Sequence, residues 1–214
     1  MLLCDWEIRA LCVEEQYRSL LRCSQFIHGM EDNGFRPLLE PFAENTSGNG
    51  IVSYGLTHAG YDLRLDKEIW VNKPTYGEII EPRRMKEEGY SDRLYDKIIT
   101  DPDKGFIVPP HSYILGKAYE YMRFPRHLKG RVVGKSTLAR CGVLINCTPM
   151  EPGWHGYLVI EVANISPSPI RLYAMQGIAQ LEIEGLSKEP ETDYGDKQGV
   201  YMNQTGITPA RVKE

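Results

Sequence analysis

Long apolar runs are missing from this chain of 214 residues, and its cysteines are few and irregularly spaced. No stretch approaches the roughly 20 consecutive apolar residues that span a bilayer. The opening, MLLCDWEIRA, carries an acid where a secretory leader needs a basic start. A soluble, unprocessed protein with no membrane partner is expected. The five cysteines, at 4, 12, 23, 141 and 147, make neither a paired framework nor a Cys-x-x-Cys metal spacing. They read as reduced thiols of a cytoplasmic protein. A broad cationic excess is missing too: the net charge of −4 argues against a general nucleic-acid coat. Finally, VVGKSTLARCG (132–142) only imitates a phosphate-binding P-loop. The glycine such a loop needs five positions before Gly134 is Lys129, and Gly130 lies one residue too close.

What is present is enough for one core: 42% hydrophobic and 25% charged residues predict a single domain over 1–214. Asp5 is placed to cap a helix with Ile8, Leu11 and Cys12 on one face, reaching about residue 22. YDLRL alternates as a strand after the polar ENTSGNG turn. Residues 73–104 are charged and without pattern, and read as a surface excursion with no chemistry. From 105 on, short strands dominate: two flank Pro109-Pro110, and three more are predicted at 157–163, 170–174 and 177–183. Such spacing argues for a mainly β sandwich, jelly roll or barrel. Residues 185–214 lack a periodic face and are expected to form a flexible closing tail that orders when something docks against it.

Charge is uneven along the chain. Between Lys117 and Arg140 seven Lys and Arg residues face one acid, Glu120, a local positive field suited to a small anion. In the strand at 157–163, Leu158, Ile160 and Val162 share one face while Tyr157, Val159 and Glu161 share the other. Glu161 then sits either on a solvated sheet face or in a pocket where its carboxyl moves protons; periodicity leaves both open. Ser136 and Arg140, four apart, project from one face if STLAR forms a helical turn. A helix cap and a surface ion pair are their plainer roles. Together with Glu161 they supply a hydroxyl, a guanidinium and a carboxyl, the parts of a hydrolytic site.

The run GKSTLARCGVLINCTPMEPGWHGYLVIEVANISPSPIRLYAMQGIAQL (134–181), with LCDWEI and SYGLTHAGYDLRL before it, closely resembles the dCTP deaminases of the dUTPase-like trimeric fold. The resemblance implies a distorted jelly-roll, dUTPase-like β-barrel that assembles as a homotrimer with active sites between subunits. It implies deamination of dCTP with magnesium held by the triphosphate and no metal at the reacting carbon. Glu161 would be the general base, Ser136 would position water and substrate, and Arg140 would order the centre. Lys135 and Thr137 would touch phosphate, and Leu138, Ala139, Val159 and Ile160 complete the matched substrate-binding segments. Pro149 falls where the family holds the water by a backbone carbonyl; Gln180, Tyr194 and Gln204 match nucleotide contacts, the last two from the tail. No His in the chain has a glutamate two residues on, so the His-x-Glu signature of zinc deaminases is not written here and no zinc is expected.

Two departures stand out. Relatives carry a phosphate-reaching lysine where this chain has Val200, which opens the preference for tri- over monophosphate. Residues 13–50 and 73–104 do not align with the pattern. A bifunctional deaminase and diphosphatase, or a dUTPase using Glu151 in place of the usual aspartate, is the nearest alternative; a non-catalytic nucleotide sensor is a further one. Whether dTTP acts as a feedback inhibitor is left open.

Overall fold

The computed structural model describes residues 1–17, 35–77 and 79–212. Its elements are α1 (Asp5–Cys12), β1 (Leu39–Glu40), β2 (Gly55–Thr57), β3 (Gly60–Asn72), a 3-10 turn at Pro82–Lys86, α2 (Tyr90–Leu94), β4 (Tyr95–Ile99), β5 (Phe106–Val108) and β6 (Ser112–Arg123). After them come β7 (Leu128–Gly134), α3 (Ser136–Ala139), β8 (Val143–Asn146), β9 (His155–Asn164), β10 (Ile170–Leu172) and β11 (Gly177–Gly185). The fold is mainly β, a nearly closed barrel-like sheet. Its main path runs β7-β11-β3-β6-β9-β8, with β1 added to β6 and with β2 and β4 added to β3. All of these ladders are antiparallel. Strands β5 and β10 make a separate pair.

Alternation along the long strands sends one set of side chains inward. Leu63, Leu65, Ile69, Ile114, Ile160, Val162 and Leu181 meet in the main core, all at 1% exposure or less. Each contributes roughly 1.5–3 kcal/mol on burial. The outward face of β3, β6 and β9 is covered as well. Trp70, Leu115 and Val159 from those strands pack with Met85, Tyr90, Leu94, Tyr95 and Ile207 in a second cluster. Most of its cover comes from 73–104, so that segment is not a bare surface excursion. Its acids and bases pair with one another, Arg84 with Glu87 and Lys97 with Asp92, while its apolar side chains turn inward. The local charge hides an inward face that has no helical or strand period.

Helix α1 also differs from expectation. Cys4, not Asp5, is the cap residue, and the Glu7 carboxylate accepts the Cys4 backbone N–H at 2.9 Å. Asp5 accepts from the next residue's N–H at 2.8 Å, within the first turn. The helix ends at Cys12, with a further helical turn over 14–17; the expected continuation to 22 lies outside the described residues. No helix among the described residues is long and apolar enough to cross a membrane. The four cysteines among them, 4, 12, 141 and 147, are free thiols.

Residues 185–212 run back over the barrel and dock on it. Tyr194 N–H donates to the Pro152 carbonyl at 2.9 Å, Asn203 N–H to His155 at 2.8 Å, and Tyr157 N–H to the Gln204 carbonyl at 2.9 Å. This contact depends on Gly156, whose φ of +146° leaves the left-handed side of the map open to the tail. A Cβ there would lie 2.8 Å from the Gln204 nitrogen, too close for any other residue without moving the tail.

Candidate active site

Strand β9 sets the site. Register places Glu161 opposite Leu115 of β6 and Asn146 of β8, with its side chain on the outward face. Because 73–104 and the tail cover that face, Glu161 sits in a cavity of about 280 Å³ rather than in open solvent. Leu115, Val159, Pro149, Tyr95, Tyr194 and Gln204 are among its walls, and among the described residues no Lys or Arg lines it. The consequence is electrostatic. Burial, with no cation to offset it, raises the Glu161 carboxyl to about 7; its own backbone N–H opposes this only in part. A carboxyl half-ionised near neutrality is matched to taking a proton from water and giving it back.

The tail closes the cavity in an ordered way. Gln204 is buried; its amide N–H donates to the Tyr157 carbonyl at 3.4 Å and its amide oxygen accepts the Thr208 hydroxyl. Tyr194 accepts the Tyr201 N–H on its hydroxyl at 3.0 Å, and Trp154 donates its indole N–H to the Tyr201 carbonyl at 2.9 Å. Arg126 anchors the stretch that carries Tyr194, bonding Asp193 at 3.3 Å, Asp196 at 3.1 Å and the carbonyls of Pro190 and Glu191 at 3.2 Å.

The other expected residues gather elsewhere. Strand β7 ends at Gly134 and hands on to α3, a single turn in which Ser136, Thr137, Ala139 and the following Arg140 are exposed. Arg140 has no ion pair among the described residues. Lys135 turns back: its ammonium pairs with Asp62 and reaches the Ser53 hydroxyl at 3.2 Å. Gln180 of β11 stands beside it, its amide donating to Asp62 and to Thr57 at 3.3 Å each. None of Lys135, Ser136, Thr137, Arg140 and Gln180 lines the Glu161 cavity. Leu138 and Ile160 are buried in the main core, so their backbones, not their side chains, are what a ligand can reach. Glu151 is half exposed, pairs with Lys129 at 3.3 Å and stays outside the cavity.

Three side chains escaped the sequence reading. Tyr95, from the segment given no chemistry, lines the cavity and shares a 2.9 Å hydroxyl contact with Tyr113. Cys147 lies against Glu161; burial first, then the Glu161 charge, pushes its thiol up to about 12, so it is a neutral neighbour. Tyr201 lines the cavity from the tail. Only tertiary pairing reveals them: β8 stops at Asn146, opposite Glu161, which puts Cys147 at the carboxyl.

A barrel-like sheet with a half-buried carboxyl under a folded-over tail defines the class to which comparison should point. The crystal structure of 2'-deoxycytidine 5'-triphosphate deaminase from Agrobacterium tumefaciens shares the fold at a TM-score of 0.53 and 16% identity. The match covers 85% of this chain and 47% of that longer one. Sequence comparison is more specific. The model of the dCTP deaminase-like family matches residues 24–186. A dCTP deaminase of Roseiflexus castenholzii is 39% identical over 175 residues, covering 82% of this chain and 91% of the relative. A dCTP deaminase of Chlamydia muridarum is 38% identical over 190 residues, covering 83% and 96%. The chain belongs to the dCTP deaminase-like family.

Proposed function

We propose that this protein deaminates dCTP to dUTP and ammonia, with Glu161 as general base. The carrying observation is the Glu161 carboxyl, held near its point of half-ionisation in a cavity without cations. The ionised carboxylate takes a proton from water, and the hydroxide adds to C4 of the cytosine ring. That proton passes to N3. A second transfer, from the new C4 hydroxyl through the same carboxyl to the amino group, lets the C4–N bond break, so the amine departs as ammonia and C4 keeps the oxygen as a carbonyl. The closing tail excludes bulk water from this exchange.

The exposed turn at 135–140 completes the site from a second copy of the chain. Ser136 positions water and substrate, Arg140 orders the centre, Lys135 and Thr137 bear on phosphate, and Gln180 contacts the nucleotide. A closed homotrimer supplies one such turn to every cavity. Magnesium enters with the triphosphate and neutralises phosphate charge. Its ligands in this reading are the phosphate oxygens.

Following ammonia and pyrophosphate together from dCTP, dCMP, CTP and dUTP with magnesium tests the reading. Ammonia without pyrophosphate is expected. Both products mean a bifunctional deaminase and diphosphatase, and pyrophosphate from dUTP alone means a dUTPase. No turnover of any of them, with nucleotide bound, means a sensor.

A further inference from the structure

The contact between Tyr95 and Tyr113 has a proton to spare. The two hydroxyl oxygens stand 2.9 Å apart, and either can donate to the other. One proton closes that bond; the second needs an acceptor, because a phenol shut away from water loses its hydration uncompensated. Neither hydroxyl makes another hydrogen bond among the described residues. Tyr95 lines the Glu161 cavity, and among the described residues Glu161 is the one charged side chain in that wall. The phenol is held firmly. Tyr95 opens β4 opposite Asn72 of β3 and is 6% exposed. Its ring packs on Trp70 at 5.9 Å and meets the Tyr113 ring edge-on at 6.1 Å and 82°. Tyr113 arrives from β6, where it pairs with Ala163, two residues along from the pairing of Leu115 with Glu161. Such diagonal cross-strand neighbours lie ~7–8 Å apart, within reach of an aromatic side chain.

The charged groups around Trp70 are already matched. Lys97 sits over the Trp70 ring at 4.4 Å and pairs with Asp92, and the Trp70 indole N–H donates to Glu68 at 3.0 Å. Tyr194 and Tyr201 line the cavity from the tail, and Cys147 brings a neutral thiol from the end of β8. Burial first, with the Tyr113 hydroxyl and the Glu161 charge adding to it, holds the Tyr95 phenol above its ordinary range, so it keeps its proton at neutral pH and remains a donor. Glu161 accepts from no other side chain among the described residues. A donor with a spare proton and an acceptor with a spare lone pair therefore share one cavity. We propose that Tyr113 donates to Tyr95 and that Tyr95 donates its own proton to the Glu161 carboxylate, directly or across one water, which makes Tyr95 a positioning residue for the base. The bond favours the ionised carboxylate and fixes one of its oxygens, leaving the other for the water it deprotonates. Its part in turnover rests on the deaminase reading; the coupling of the two groups does not.

Two variants, Y95F and Y113F, test it. Infrared difference spectra follow the protonated Glu161 carboxyl without nucleotide, the band being assigned by its loss in E161Q. Its midpoint should move from about 7 toward about 8 in Y95F, because a bond to the ionised form is gone. In Y113F it should move the same way by less, since Tyr95 keeps its proton and loses only the hydroxyl that orients it. In turnover, the rising limb of kcat/KM for dCTP should shift alike; near pH 6.5 the kcat of Y95F should fall roughly five- to tenfold while its KM stays within about twofold. A Glu161 midpoint that stays at about 7 or falls in Y95F overturns the proposal. So does a Y95F enzyme whose KM rises with its pH limb unmoved, because Tyr95 is then only a wall of the base pocket. A midpoint that shifts in a chain deaminating no cytosine nucleotide upholds the bond between Tyr95 and Glu161 and overturns the deaminase reading alone.

Discussion

The Glu161 cavity and the 135–140 turn are opposites. One is partly enclosed, lined by Tyr95, Tyr194 and Tyr201 and by no Lys or Arg among the described residues; the other exposes Ser136, Thr137 and Arg140, the last with no ion pair among the described residues. In the first, removal of water raises a carboxyl to about 7 and makes it a usable base. In the second, Ser136, Thr137 and Arg140 stay exposed while Lys135 turns back to Asp62 of its own chain. The proposed shared site starts from that difference: one half lies in the cavity and the other on the turn, and the proposal is that assembly joins them.

The comparison breaks most sharply at Glu161. Replacing Glu161 by Gln keeps shape and removes the base, and steady-state ammonia release should fall by about 10²–10⁴-fold. Replacing Arg140 by Ala should cost about 10²–10³-fold by removing a donor aimed at developing charge. The pair sharpens the claim of a shared site: mixing E161Q with R140A under subunit exchange should restore activity that neither has alone, since some sites then combine an intact cavity with an intact turn. No recovery would place both residues in one chain's site.

A smaller effect is expected at the tail. Arg126→Ala removes the anchor of the segment carrying Tyr194, and a loss of ~1 kcal/mol in a half-exposed network corresponds to a KM for dCTP raised roughly five- to tenfold. The turnover number should change less, which a kcat against KM comparison reads directly. The smallest effect is on stability. Glu161 has a folded-state pKa raised above its unfolded value, so the folded chain binds the proton more tightly and stability falls as pH rises from about 4.5 to about 7. E161Q lacks this cost. It should be more stable than the unaltered chain by ~1–2 kcal/mol at pH 8 and nearly equal to it at pH 4, measured by denaturant melts.

Much of this was legible in the residues. The two-residue period of 157–163 predicted β9 and put Glu161 on the face opposite Leu158 and Ile160; it could not say what covered that face, because the cover comes from Tyr95, Leu94 and Ile207, far away in sequence. The Ser-Thr-Leu-Ala-Arg turn was visible as a helical turn, and its exposure was not, since its burial partner Leu138 is one residue among five. The tail's docking was hidden for another reason. It is carried by backbone bonds at His155, Tyr157 and Asn203 and by the missing side chain of Gly156, none of which leaves a hydrophobic pattern. In 73–104 local ion pairs masked a buried tyrosine and leucine behind apparent polarity.

The pH dependence of kcat/KM for dCTP probes the central claim most directly. A rising limb with an apparent pKa of about 7, as the Glu161 carboxyl loses its proton, is the predicted result. A profile that stays flat down to pH 5, or one that turns near the ordinary carboxylate range, would contradict the cavity carboxyl acting as the base.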